Sequence, residues 1–449
     1  MARNDYDSMT PRHSGRLISC VLATSLLALT LAPAGVAWAQ DDSPAPDAAT
    51  AAEPTPLPEG FNKKMVKKVA EVIGEVRPVR GLPSADDVAY RVVDEDVFRT
   101  ELEELFRDEY SDAYIAAEDD AFTRLGLIDA EDDLEELILS LYDSQVLAFY
   151  DPRSTTFSLV GPVKKIGGLE SIVVAHEYGH ALQDAAWDLE GGRIKELDRA
   201  DAILAQQALI EGDATAIMYD WAARELKLAD LLRVSAGVLT NRDAKKLRRV
   251  PTILRRQLEF PYIDGYAFVN AIRGRGDWDA VNDVWEAQPV STEQILHPEL
   301  YPKEIPIEVV LPDVAGALGP GWSATYEQTM GEMQIGVWVA DGRKARSLFP
   351  VLPAQLPGAG AAAGWGGDRL ISLDGPDGEW AVVWQTDWDT RADAKEFRAA
   401  ARDAMKDLPG AHAVSGADVS GGLSFPVLVL VADSDGSLGA VKAALGIDS

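Results

Sequence analysis

The chain has 449 residues, 47% hydrophobic and 26% charged, a composition that excludes a disordered protein and allows two or three folded domains. Its formal net charge of −31 is spread along the whole length, which argues against nucleic acid or an anionic membrane surface as a partner, since both call for basic patches.

The N-terminal 39 residues read as a signal peptide. Arg12 and Arg16 precede the apolar run LISCVLATSLLALTLA, and Ala37 and Ala39 offer small residues for cleavage after Ala39. The run is short for a bilayer span, so the expectation is an exported protein, periplasmic or extracellular, with no stable membrane span once the signal is removed. The only cysteine, Cys20, leaves with it, so the mature chain can form no disulfide and any metal must rely on histidine and carboxylate. Residues 40–59 are rich in Pro, Ala and Asp and read as a disordered spacer.

From 62 to 77, NKKMVKKVAEVIGEVR predicts a basic amphipathic helix that packs through Phe61, Met65, Val69 and Val72. DVAYRVVD (87–94) alternates as a strand does, and 95–110, 112–126 and 131–142 predict three acidic helices. QVLAFYDPRSTTFSLV (145–160) reads as a hairpin turning at Asp-Pro-Arg-Ser, and Gly167-Gly168 opens the next helix. After a loop at LEGGR, a long helix is expected over 198–227. EFPYIDGYAFVNAIRGRGDWDAVNDVWEA (259–287) predicts one or two helices broken by glycine, and a proline-punctuated loop follows. The expected domain boundary falls there, giving one domain over 60–305 and a small α+β unit over 306–449. In the latter, IEVVL, MQIGVWVA, DRLISL, EWAVVWQTD and PVLVLVA are expected strands, and 390–405 and 437–445 are expected helices. The tryptophans at 365, 380, 384 and 388 are expected to pack that sheet, the alternative being a glycan or peptide surface.

The strongest chemical signal is VVAHEYGHALQDAAW (173–187), which holds two of only five histidines. Positions four apart share a helix face, so His176 and His180 can aim ring nitrogens at one ion, and Glu177 can reach a water on it as a general base. The apolar SIVVA entry buries the helix, and burying two histidines and a glutamate without a partner would be costly. Gly179 is expected to keep the backbone slim beside the site. A zinc ion of catalytic type needs a third protein ligand. Glu211, set in the apolar run ALIEGDATAIM, is the candidate. Asp213 points elsewhere and reads as a cap, a packing acid or a support for the ligands.

HEYGH followed about thirty residues on by EGDA resembles the gluzincin class of zinc metallopeptidases, to which thermolysin and the aminopeptidase N family belong. The resemblance covers about residues 85–300. It implies a mainly helical zincin-like metallopeptidase domain with a small edge sheet, zinc held by His176, His180 and Glu211, and Glu177 as the base. It implies a peptide or protein substrate lying extended along the hairpin that precedes the motif helix. FPYIDGYAF is similar to the helix of aminopeptidase N-like enzymes whose tyrosine supports the oxyanion, which would give Tyr262 that role. His297 is an alternative donor, a substrate contact or a capped surface histidine. Where thermolysin-like enzymes carry an aspartate that orients a ligand histidine, this chain has Thr215, whose hydroxyl can accept that N–H bond but brings no charge, so Asp213, Asp184 or Asp201 are the alternatives. The function these features predict is an exported zinc-dependent peptidase, more endopeptidase than exopeptidase. The rival is a zinc-bearing envelope protein, weakly active or inactive, that binds a partner through its C-terminal unit.

Overall fold

The computed structural model describes residues 21–24, 57–227, 250–340, 359–416 and 424–447. The expected cleavage site and most of the spacer lie outside them. The chain is α+β, with two sheets and helices around them. Among the described residues no helix is long and apolar enough to cross a membrane.

Strand β1 (Val21–Thr24) comes from the N-terminal apolar run, inside the segment expected to leave as a signal peptide, which would reduce its sheet to three strands in the mature chain. Helix α1 (Lys63–Arg80) follows the predicted pattern. Asn62 caps it by accepting hydrogen bonds from the Lys64 and Met65 amides, and its buried stripe is Met65, Val69, Val72, Val76 and Val79. Next come β2 (Ala89–Val93), α2 (Glu95–Glu109), α3 (Asp112–Leu125), α4 (Leu134–Gln145), and the hairpin of β3 (Val146–Asp151) and β4 (Thr156–Val160). The Asp151 carboxylate closes the hairpin turn by accepting from the Arg153 amide and the Ser154 hydroxyl. The four strands lie in the order β1-β3-β4-β2, with β2 parallel to β4 and the other pairs antiparallel.

Three helices form the frame of the first part: α5 (Gly168–Trp187), α6 (Ala200–Glu225) and α7 (Thr252–Glu286). The α5 helix is buried all round from Ser171 to Gln183, as its apolar entry requires. The α7 helix is interrupted at Gly276 and Asp277, where the glycine-broken pattern was expected to divide it. The α6 and α7 backbones touch: a Cβ on Gly212 would lie 2.3 Å from the Gly265 carbonyl, and a Cβ on Gly265 would lie 2.1 Å from the Ala208 oxygen. Only glycine permits that approach.

A short helix, α8 (Thr292–Leu296), stands in the segment expected to be loop, and α9 (Val314–Leu318) follows. The C-terminal sheet is antiparallel, in the order β5-β6-β7-β9-β8. Its strands are β5 (Ser323–Gln328), β6 (Trp365–Asp374), β7 (Trp380–Trp388), β8 (Ala411–Gly416) and β9 (Val427–Ala432). Helices α11 (Arg391–Met405) and α12 (Asp435–Ala444) are the two expected there.

Two expected strands are corrected. MQIGVWVA forms helix α10 (Gly331–Val339), buried on every side, and an apolar run without periodicity fits either structure. Asp368 fixes its start by accepting from the Met330 and Gly331 amides. IEVVL is irregular: Ile307 donates one bond to the Gly366 carbonyl, no ladder follows, and prolines flank the run at 306 and 312. The tryptophans pack as expected. Trp365, Trp384 and Trp388 have no exposed surface, and Asp368 accepts the indole N–H of the first two. One apolar cluster runs from Leu204 and Phe268 through Trp338 to Trp384 and Phe397, so the core continues across the boundary expected near 305.

Candidate metal centre

The α5 helix brings His176 and His180 to one face, and the glycine crossing of α6 and α7 sets Glu211 and Tyr262 beside them. The Nε2 atoms of the two histidines are 3.0 Å apart, and the Glu211 Oε2 lies 3.1 Å from the first and 3.5 Å from the second. A four-coordinate ion with bonds of about 2.0–2.1 Å holds its ligand atoms roughly 3.3 Å apart, so this donor set fits a tetrahedral metal with one position left open. Both histidines and Glu177 are fully buried, and Glu211 nearly so.

Burial holds the His176 imidazole below its usual pKa and so neutral, with a lone pair to give. Burial pushes the Glu211 carboxyl up, but His180 and His176 more than offset this and keep it below the ordinary carboxylate range. The Tyr262 ring lies 6.0 Å from that of His176. Burial, then the charges of Glu211 and Glu177, hold its phenol well above its usual pKa, and it also shares a hydrogen bond with Glu211. At neutral pH it is therefore a protonated donor, close enough to both glutamates to feel their charge.

The structure departs from expectation in how the histidines are held. His180 Nδ1 meets Gln183 Oε1 at 2.8 Å, and the Gln183 amide donates to the Ile210 carbonyl at 3.0 Å, next to Glu211. Gln183 thus fixes His180 as the Nδ1–H tautomer and frees Nε2 for a metal. Its position three residues after His180 on the same helix face was the missed signal. Thr215 does not substitute for the aspartate: its hydroxyl and His176 Nδ1 are both buried with no hydrogen-bond partner among the described residues. The other three acids are engaged elsewhere. Asp213 takes the buried Arg80 guanidinium at 2.9 and 3.2 Å and the Trp285 indole N–H. Asp184 accepts from the Tyr150 hydroxyl and the Leu189 amide, and Asp201 from Thr292.

Gly179 faces α6, where its Cβ would lie 3.4 Å from the Ala214 Cα, so it serves helix approach more than space at the site. His297 binds Glu332 at 2.9 Å, with Glu299 4.0 Å away, and this hydrogen bond holds its pKa up. Sequence reasoning also missed a cleft of about 170 Å³ lined by Tyr142, Ile203, Leu204, Gln207 and Leu258. Gln207 and Leu258 lie one helical turn before Glu211 and Tyr262, and the Tyr142 phenol feels the Glu211 charge.

A family model described as a domain of unknown function (DUF8575) matches residues 322–441, a segment that begins with β5, ends in α12 and contains none of the five residues of this centre. No curated protein and no solved structure matches the chain.

Proposed function

We propose that the protein is an exported, zinc-dependent peptidase of zincin-like architecture that hydrolyses peptide bonds, with His176, His180 and Glu211 holding the metal. The observation that carries this reading is the convergence of three ligand atoms within 4.8 Å of one another, with Glu177 on the same helix and Tyr262 beside the carboxylate ligand. Zinc, when bound, supplies Lewis acidity at the scissile carbonyl and lowers the pKa of water at its open position. Glu177 then takes a proton from the attacking water as the oxygen bonds to the carbonyl carbon. When the C–N bond breaks, the same carboxyl hands that proton to the leaving amine. Tyr262 keeps its own proton and donates a hydrogen bond to the oxyanion.

Two further observations support a peptide substrate. The edge of β3 takes an added antiparallel strand from the chain itself, with Val21 opposite Tyr150 and Leu22 opposite Phe149, so it is a surface on which extended chain can pair. The cleft that Gln207 and Leu258 help to line has the size to take one side chain, against leucines and tyrosines with Gln207, Gln257 and Glu118 among them. A digest of a mixed peptide library tests the reading. Zinc-loaded protein should cleave it, chelator should stop the cleavage, and cuts should cluster beside large apolar residues. Folded, zinc-loaded protein that cleaves no peptide would instead favour a binding role in the cell envelope.

A further inference from the structure

A second group of oxygen donors lies outside this centre. Glu293 on α8, Glu304 in the loop that follows and Asp389 just after β7 each bring a carboxylate oxygen within 4.8 Å of the other two. Each comes from an anchored segment. Ser291 caps α8, the Gln294 side chain donates to the Glu304 carbonyl, and the Asp389 amide donates to the Gly364 carbonyl at 2.9 Å.

Among the described residues the one cation beside the grouping is His297, which is held on Glu332 and also feels Glu304, while Asp389 and Glu304 share a hydrogen bond. Glu293 is 1% exposed, and its Oε1 is buried with no hydrogen-bond partner among the described residues. The principal charges acting on it are all acidic, from Glu332, Glu304, Asp389 and Asp201. The neighbouring Glu332 is also buried. Its Oε1 takes His297, but its Oε2 has no partner among the described residues. No lysine or arginine pairs with Glu293, Glu304 or Asp389 among the described residues. Burial and these acidic neighbours hold the Glu293 carboxyl up to about 9, and a cation shared by the three groups would let it ionise in place.

We propose that Glu293, Glu304 and Asp389 form a second cation site, taking calcium, that braces α8 against the end of β7. All the donors are oxygens, the choice of a hard cation and not of zinc, which favours the imidazole pair at the first centre. Calcium–oxygen bonds of about 2.3–2.6 Å allow ligand oxygens up to about 4.8 Å apart, the range within which these three lie. Glu293 closes the inner side of the site. Asp389 is exposed, so water can complete the coordination from outside.

Calcium titrated into metal-free, full-length protein, followed by calorimetry and thermal unfolding, tests the proposal. One calcium should bind per chain and raise the Tm. Asp389→Asn and Glu304→Gln should each weaken binding by about tenfold or more, since each removes one of three charged ligands. Glu211→Ala should leave calcium binding unchanged, which separates this site from the histidine centre. Without metal, the two amide variants should melt no lower than the metal-free parent, because each relieves repulsion among the carboxylates. No calcium binding by the parent, or undiminished binding by the Asp389→Asn/Glu304→Gln double variant, overturns the proposal.

Discussion

Gly265→Ala tests whether the α6–α7 crossing builds the site. In an exposed helix this change stabilises by about 1 kcal/mol, because alanine loses less backbone freedom on folding. Here the new Cβ would lie 2.1 Å from the Ala208 oxygen, 2.8 Å from its carbon and 3.0 Å from its Cα. All three atoms are backbone within a helix, so no side chain can swing aside and α6 must move by more than 1 Å. Overpacking of this kind typically costs about 1–3 kcal/mol, which outweighs the propensity gain. The shift carries Glu211, three residues beyond Ala208, away from the histidine pair, so metal affinity should fall as well. Gly274→Ala is the internal control: it lies in the same helix, and nothing stands within 4 Å of its Cβ, so it should stabilise by about 0.5–1 kcal/mol. Urea unfolding with a competitive zinc titration reads both quantities. A Gly265→Ala protein as stable as the control, with parental zinc affinity, refutes the reasoning.

Gln183→Ala should weaken metal binding by about 10–100-fold while the fold survives, because His180 loses the group that sets its tautomer. Zinc affinity by chelator competition measures it, and an unchanged affinity counts against the role. Arg80→Ala leaves Asp213 buried without its cation, at a cost of about 3–5 kcal/mol in denaturant unfolding. A loss under 1 kcal/mol would mean the pair is dispensable. Burial pushes the Glu109 carboxyl up to about 8. A carboxyl raised on folding stabilises the protein fully below its unfolded pKa of about 4.3, and that contribution is lost as pH rises through 8. The parent's stability should therefore decline between about pH 5 and pH 8, and Glu109→Gln should remove that part of the decline. Parallel pH profiles for the two proteins would contradict this.

The parts of the site that were legible in the sequence are those set by one helix at a time. The four-residue spacing of His176 and His180 fixes their shared face, and a single carboxylate in an apolar run marks Glu211. What sequence could not give was the approach of distant segments. Gly212 and Gly265 each stood beside a named motif residue, but their contact depends on how two helices cross. Gln183 was passed over because a neutral amide carries no metal signal. Asp213 faces inward because Arg80, more than 130 residues earlier, packs against it. In the C-terminal sheet the long buried strands β6, β7 and β9 announced themselves by apolar content. The edge strands β5 and β8 did not, being half exposed and mixed in polarity. MQIGVWVA misled because an apolar run buried on every side shows no period.

Zinc content and peptide hydrolysis, measured on the same preparation of Glu177→Gln, test the central claim most directly. The expected result is one zinc per chain, as in the parent, with hydrolysis abolished, because the amide keeps the shape of the side chain but cannot take a proton from water. Hydrolysis at the parental rate would contradict it.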